Sequence, residues 1–281
     1  MKILALLVAS GAFAQGLDVA EIMARVGANQ TGADARRREY VYTQRQTLRL
    51  MRGNGKVARE EHREYLVLPR PKKTGKQLTH FDGRYEASGK YVSYDQPNYH
   101  YKGMDIDGDL INDLSDDLAN NQGTRDGLAA NLFPLTLRMQ THYRFHLKGT
   151  ETYRGRQVYR VSFEPKAKES LLSDDDDAGI WKGDALIDTE EFQPVAITTS
   201  LAWRIPAAVK VLLGTNVTGL GYSVTYQKFD DGVWFPVSYG GEFHVRGLFF
   251  YARTMSVSVV NSDFRKQDVN SKIVYADDGH Q

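Results

Sequence analysis

The residues considered first for chemistry are histidines and carboxylates. The 281-residue chain contains no cysteine. His142 and His146 have the four-residue spacing of a helical metal-binding pair. The residues between them alternate like a β-strand, however, and no Glu follows His142 as a zinc-protease motif requires. The lack of cysteine also excludes disulfides, thiol catalysis and zinc sites built on Cys ligands. We therefore expect these histidines on a solvated strand face, with no metal site.

Three alternating aspartates resemble the start of a calcium-binding loop. They are Asp105, Asp107 and Asp109, but Leu110 stands at the sixth position of such a loop, where Gly is needed, and Asp116 stands where a bidentate Glu closes it. The alternative is that one of these aspartates caps the start of a helix. The departures from the calcium pattern favour the capped helix.

Paired carboxylates occur at Glu60/Glu61 and at Asp188/Glu190. Such pairs serve glycosidases only when they face a cleft at a defined separation, which a sequence does not show. The chain has no G-x-S-x-G nucleophile elbow, no phosphate-binding P-loop and no complete dinucleotide fingerprint. We predict that the protein is not an enzyme, that it has no catalytic residue and that it uses no cofactor. A carboxylate-dependent hydrolase is the alternative.

The overall charge argues against nucleic acid as a partner. There are 36 Lys and Arg residues against 35 Asp and Glu residues, which gives a formal net charge of +1. Phosphate backbones are bound by an excess of basic residues, and this chain has almost none.

The N-terminus has the pattern of a secretory signal peptide. Lys2 precedes an apolar stretch over residues 3–13, and Ala12-Phe13-Ala14 forms a cleavage site. We predict cleavage after Ala14 and export to the periplasm. No later stretch approaches the roughly 20 apolar residues of a transmembrane helix. Because no Cys follows the cleavage site, we expect a soluble protein without a lipid anchor.

Most of the remaining chain alternates as β-strands do. Apolar residues at helical spacing predict a helix over 17–37, and Asn54-Gly55 predicts a hairpin between strands at 40–50 and 57–68. Around 70–140 we expect a partly helical insertion, with one helix over 109–121. From residue 141 the chain is predicted to be a meander. Its strands are expected at 143–147, 159–163, 180–189, 194–205, 222–229, 233–239 and 242–260, and a short apolar helix over 206–214 interrupts them.

These elements predict one mainly β (α+β) domain over 15–281. Long strands with one apolar face must cover that face, and a large antiparallel sheet curls through its own twist. We expect a curved antiparallel half-barrel with helices over its concave face. If the helices only partly fill the concavity, an apolar cavity remains for a lipid or an acyl chain. If they fill it completely, no ligand binds there.

Two stretches resemble a known family. The first is the Tyr-rich hairpin from Tyr40-Val-Tyr to Glu64-Tyr-Leu, and the second is WKGDALIDTEEFQPV at 181–195, a strand followed by Asp188, a turn and Pro-Val. Both resemble the outer-membrane lipoprotein-sorting proteins of the LolA/LolB-like group. The resemblance implies an unclosed, strongly curved antiparallel sheet with helices in its mouth. It also implies binding or transport of acylated proteins in the periplasm, and the same fold serves envelope-stress sensors.

The function we predict is a non-enzymatic periplasmic carrier that shelters acyl chains of a lipid or an acylated protein in an apolar concavity. The alternative is an envelope protein-interaction or stress-sensor module whose groove is filled. We expect a monomer, with an envelope protein as a further possible partner. The candidate binding residues lie on apolar strand faces and on the 206–214 segment, which would act as a lid; they are Ile197, Leu201, Trp203, Val211, Leu212, Leu213, Phe235, Phe249 and Tyr251.

Overall fold

Twelve β-strands and three α-helices form the part of the chain that the computed structural model describes, which is residues 17–68, 75–119, 134–167, 180–202, 215–247 and 251–267. The helices are α1 (Val19–Arg37), α2 (Ile106–Ala119) and α3 (Leu137–Gln140). The strands are β1 (Tyr40–Met51), β2 (Val57–Leu68), β3 (Gly75–Ala87), β4 (Lys90–Tyr94), β5 (Tyr143–Tyr153), β6 (Arg156–Pro165), β7 (Trp181–Asp188), β8 (Pro194–Leu201), β9 (Thr215–Thr218), β10 (Ser223–Lys228), β11 (Trp234–Gly247) and β12 (Tyr251–Lys266). The predicted signal peptide over 1–14 and the predicted helix over 206–214 lie outside these residues.

All twelve strands belong to one antiparallel sheet. Eleven of them follow the order β4-β3-β2-β1-β12-β11-β10-β8-β7-β6-β5, and β9 pairs with β11 beside this path. In the described part of the chain the end strands β4 and β5 do not pair with each other, so the sheet is not closed into a barrel. This confirms the predicted fold class, a mainly antiparallel open sheet with few helices.

Short turns connect the strands where the sequence has glycine. Gly55 takes a φ of 79° in the turn between β1 and β2, and the Arg52 amide donates to the Lys56 carbonyl at 2.8 Å. This turn was predicted from Asn54-Gly55, although only the glycine has a positive φ. The pair Ser88 and Gly89, with φ values of 51° and 82°, makes the two-residue turn between β3 and β4.

The predicted last strand over 242–260 is wrong, because the structure has two antiparallel strands there. β11 runs to Gly247, and β12 starts at Tyr251 and pairs back along it. The pairs Tyr239–Val259 and Phe243–Met255 each join two odd-numbered residues, so the odd residues of both strands share one face. When the apolar alternation continues from one strand into its antiparallel neighbour in this register, the sequence pattern is the same as that of one long strand.

Region 75–140 contributes strands as well as helices. β3 and β4 extend the sheet beyond β2, and α2 begins at Ile106, three residues before the predicted start. Few residues of β3 are buried, so its thirteen residues do not show the period-2 alternation by which a strand is recognised in a sequence. That the chain from 15 to 281 is one domain with an insertion stays a prediction.

The helices cover one face of the sheet. Ile22, Met23 and Val26 of α1 are buried at helical spacing against the apolar cluster that includes Val259 of β12. Ile111 of α2 is buried in a second cluster that includes Met255 of the same strand. Because Val259 and Met255 have the same parity in β12, α1 and α2 lie on the same side, which we call the inner face. No helix among the described residues is long and apolar enough to cross a membrane.

Gly83 of β3 lets the edge strand β4 pack. A Cβ atom at this position would lie 2.3 Å from the Tyr94 ring, so we expect Gly83→Ala to displace that ring and to destabilise the protein by about 1–3 kcal/mol. Urea unfolding measures this difference. Gly53→Ala is the matched control, because no atom lies within 4 Å of its added Cβ. Equal stability of the two variants would contradict the close packing.

Candidate functional site

The inner face of the sheet has an apolar half and a polar half. The apolar half lies under α1 and α3 and is built mostly by the strands from β5 to β11. We call this cluster the apolar interior. Its buried aromatic members are Tyr143, Phe163, Trp181, Tyr226, Trp234 and Tyr239.

One end of the apolar interior is bordered by half-buried apolar side chains. Leu201 lies at the end of β8, and its amide donates to the Leu220 carbonyl at 3.0 Å. Just before the start of β7, the Ile180 carbonyl accepts a hydrogen bond from the Ala202 amide at 2.9 Å. We call Ile180, Leu201, Leu220 and Tyr222 the apolar rim, since all four pack against the cluster while staying partly exposed.

Trp181 lies at this rim and provides a polar group. Its ring meets Tyr222 edge-on, with centroids 4.9 Å apart. The side chain is 5% exposed, yet its indole N–H has no hydrogen-bond partner among the described residues. An unpaired buried donor costs about 1–3 kcal/mol, so the rim offers a position where a ligand acceptor would gain a hydrogen bond.

Four of the nine predicted binding residues lie in the described structure, and these four do not form one group. Ile197 is 1% exposed inside the apolar interior, and Leu201 belongs to its rim. Phe235 packs instead in a separate aromatic cluster, where its ring centroid lies 4.9 Å from that of Tyr40. Tyr251 lies by α2 and donates to Asp107 at 2.6 Å. Outside the described residues lie Trp203, Val211, Leu212, Leu213 and Phe249.

The polar half holds a buried charged network between β2, β4 and α2. Arg59, with no exposed side-chain surface, donates to Asp105 at 2.6 Å and to the Tyr94 hydroxyl at 2.8 Å. The Tyr94 hydroxyl in turn donates to Glu61 at 2.6 Å. Burial acts to lower the pKa of Arg59, but Tyr94, Asp105 and Glu61 outweigh it and raise that pKa. Burial, followed by the charge of Glu61, raises the pKa of Tyr94.

Arg63 continues this network to the middle of α2. It contacts Glu61 through two nitrogens, donates to the Ser115 hydroxyl at 2.6 Å and reaches the Asn112 side chain at 3.2 Å. Burial acts to lower the pKa of Arg63, and the ion pair with Glu61 outweighs it and raises that pKa. The helix is thus fastened to the sheet by directional polar contacts on both sides of Ile111.

Each of the three aspartates that resemble a calcium loop has a different partner. Asp105 accepts from the Gly108 amide at 3.1 Å, which caps the start of α2 as the alternative interpretation expected. Asp107 pairs with Arg253 at 2.9 Å, and Asp109 pairs with His100 at 2.8 Å. Among the described residues no group of three or more His, Asp or Glu side chains could hold a metal ion.

The polar half was not predicted, although β2 carries a signal for it. Arg59, Glu61 and Arg63 share their parity with Tyr65 and Val67, and the latter two are buried. Period-2 alternation therefore places all three charged side chains on the inner face. A strand whose buried face combines both charge signs at successive inward positions indicates an internal ion-pair network.

Asp105→Asn tests the energetic weight of this network. The change removes the charge that faces buried Arg59, so we expect a loss of about 3 kcal/mol of unfolding free energy. Asp109→Asn is the matched control in the same helix turn; its partner His100 is exposed, so a loss below about 1 kcal/mol is expected. Denaturant titration measures the loss of unfolding free energy in both variants. Similar losses would show that the buried Arg59–Asp105 pair contributes no more than the exposed pair does.

Glu60, on the opposite face of β2, provides a pH-dependent contribution. Burial acts to raise its pKa, but hydrogen bonds from Arg49 and Arg84 outweigh burial and lower the pKa below its ordinary value of 4.5. A carboxylate whose pKa is lower in the folded than in the unfolded chain stabilises the fold above the unfolded value, and the contribution fades as pH falls through the folded value.

We therefore expect the stability difference between the unmodified protein and Glu60→Gln to be largest above pH 4.5 and to shrink on acidification below it. Thermal unfolding across pH 3 to 7, in about half-unit steps, measures this difference. A difference independent of pH would show that the carboxylate charge is not what stabilises this face.

Comparisons with known proteins find similarity at the level of solved structures. No protein-family model matches the sequence, and the search of curated proteins gives no match. An outer membrane lipoprotein-sorting protein domain from Vibrio parahaemolyticus is 11% identical over 89% of this chain and 95% of its own, with a TM-score of 0.33. A LolA superfamily protein from Nitrosomonas europaea is 11% identical over 90% of this chain and 95% of its own, with a TM-score of 0.35.

A third solved structure is the lipoprotein LppX of Mycobacterium tuberculosis. It is 9% identical over 90% of this chain and 99% of its own, with a TM-score of 0.28. The first two structures bear the name of the group that the sequence resembles. The chain is thus similar to lipoprotein-sorting and LolA superfamily proteins.

Proposed function

We propose that this protein is an exported periplasmic carrier that binds the acyl chain of a lipid or an acylated protein in its apolar interior. The single observation that carries the proposal is the apolar rim, where half-buried apolar side chains pack against the cluster that contains Trp181, whose buried indole N–H has no partner among the described residues. An acyl chain offers apolar surface for the rim, and its ester or amide carbonyl offers an acceptor for the indole.

The covering helices are compatible with entry of a chain at the rim. α1 contacts the sheet through apolar side chains such as Ile22 and Val26, and such contacts are non-directional. A ligand methylene that replaces one of these contacts leaves no buried polar group unpaired. The predicted lid residues follow Leu201 and precede β9, so they connect two strands of this region, and covering the rim stays our proposal for them.

Chain length provides the first test. Each buried methylene contributes about 0.8 kcal/mol, so Kd should fall about fourfold per added methylene from C10 to C14 fatty acids. Displacement of a fluorescent fatty acid from the purified protein gives these values. Leu201→Asp at the rim should weaken binding at least tenfold, whereas Leu78→Asp on β3, which is a partly exposed leucine outside the apolar interior, should not. Saturable binding absent at every chain length would overturn the proposal.

The carbonyl provides the second test. Trp181→Phe keeps an aromatic side chain, although a smaller one, and removes the donor; a hydrogen bond of about 0.5–1.5 kcal/mol corresponds to a roughly 2- to 12-fold weaker affinity for methyl laurate. The affinity for dodecane should fall by less, since dodecane has no acceptor and loses only the packing of the larger ring. If both ligands lose affinity equally, Trp181 contributes packing and not a hydrogen bond.

A protein-interaction module is the second candidate function. It is favoured by the polar half, where the buried Arg59 and Arg63 network fills the space between β2 and α2. A groove filled in this way leaves the outer surfaces as the binding surface. A pull-down from envelope membranes separates the candidates, because a stable protein partner recovered without co-purifying lipid would favour this second function.

A further inference from the structure

A polar groove lies on the side of the sheet opposite α1. Its volume is about 600 Å³, and it crosses the four strands from β5 to β8. Side chains from Ser162 and Glu164 line it, while Phe163 between them has its ring in the apolar interior. Alternation along β6 thus places the groove on the outer face, separated from the apolar interior by the sheet.

The charges of the groove are unevenly compensated. Its two carboxylates already have partners, because Arg144 lies 3.4 Å from Glu164 and Arg160 lies 3.2 Å from Asp184. Lys148 and Lys182 also line the groove, but neither has a carboxylate within ion-pair distance among the described residues. Within the described part of the chain, the groove therefore presents two lysines without an ion-pair partner.

Hydroxyl groups accompany these two lysines. Ser200 of β8 is paired in register with Lys182 of β7, so its side chain lies beside that lysine on the outer face. Ser162 lies on the neighbouring strand, where its hydroxyl donates to the His146 carbonyl at 3.4 Å. Lysines bind phosphate as point charges, and hydroxyls add hydrogen bonds to its oxygens.

We propose that this groove binds a phosphate group through Lys148, Lys182 and the Ser200 hydroxyl. The volume lies within the range of roughly 300–1,000 Å³ that is typical of small-molecule sites. A soluble phosphate compound and the headgroup of a phospholipid present the same chemistry. The site does not depend on acyl-chain binding, because the two lie on opposite faces of the sheet.

Calorimetric titration of the purified protein with inorganic pyrophosphate at low salt tests the site. We expect saturable binding that weakens about fivefold in Lys148→Gln and about fivefold in Lys182→Gln, since exposed ion pairs contribute up to about 1 kcal/mol each. Affinity should also fall as NaCl is added. Lys90→Gln on β4 is the matched control, because it removes an exposed strand lysine outside the groove, and it should bind as the unmodified protein does.

Vesicle sedimentation distinguishes the two sources of phosphate. If vesicles of phosphatidylcholine with phosphatidylglycerol sediment the protein, and the Lys148→Gln/Lys182→Gln double variant loses this binding, the site takes a lipid headgroup. If only pyrophosphate binds, it takes a soluble compound. Absence of saturable binding to both probes, or an equal loss in Lys90→Gln, would overturn the proposal whatever the fatty acid measurements show.

Discussion

An open antiparallel sheet must remove one of its faces from water without the second sheet that a sandwich would supply, and this constraint shapes the rest of the protein. In the described part of the chain, three helices cover the inner face, with two kinds of contact. Under α1, Ile22 and Val26 are completely buried in the apolar interior, and a buried hydrogen bond from Gln30 to Gln193 at 2.6 Å accompanies them. Under α2 the apolar contacts of Ile111 are accompanied by directional ones, since Arg59 and Arg63 reach from the sheet to Asp105 and Ser115. The two halves therefore differ in how readily a ligand can replace the contacts between helix and sheet.

The apolar half is the part of the molecule in which a ligand can replace existing contacts at little cost. Dispersion and hydrophobic contacts are individually weak and have no preferred direction, so an acyl chain can substitute for a side chain at the rim. In the polar half, moving α2 would separate the buried guanidinium of Arg59 from Asp105, which is far more costly. Between the halves, the amide of Gln44 donates to that of Asn261 at 3.2 Å. Neutral polar side chains of β1 and β12 thus lie between the apolar half and the charged network.

The outer face of the sheet stays in water and is organised by ion pairs between neighbouring strands. Arg45 with Glu64, Arg144 with Glu164 and Arg160 with Asp184 each join two strands. Such exposed pairs add little to stability, but they determine where charge remains uncompensated. At the edge strand β5, the pairing register shifts between Leu147 and Gly149, an irregularity that blunts an edge against pairing with another chain. Lys148 lies at this irregularity, beside the groove.

Local pattern in the sequence was sufficient for much of the fold. Alternation and the Asn54-Gly55 turn predicted the β1–β2 hairpin with nearly the observed ends, and helical spacing of Ile22, Met23 and Val26 predicted α1. These features depend on neighbours within a few residues, so the local sequence is sufficient to predict them. The division into β11 and β12 was missed because a register that pairs odd with odd residues preserves the alternation from one strand to the next.

Only the tertiary structure decided which buried faces are apolar and which are charged, and which residues meet. Phe235 and Ile197 are both buried and apolar, yet they belong to different clusters, because strand order and bulges separate them. The meeting of Arg59 with Asp105 joins residues 46 positions apart in the chain, and no local period reports a contact of that range. By itself the sequence determined the first helix, the β1–β2 hairpin and most of the later strands; the sheet order decided where the carboxylates, guanidinium groups and aromatic rings come together, because pairing between distant strands depends on the whole packed chain.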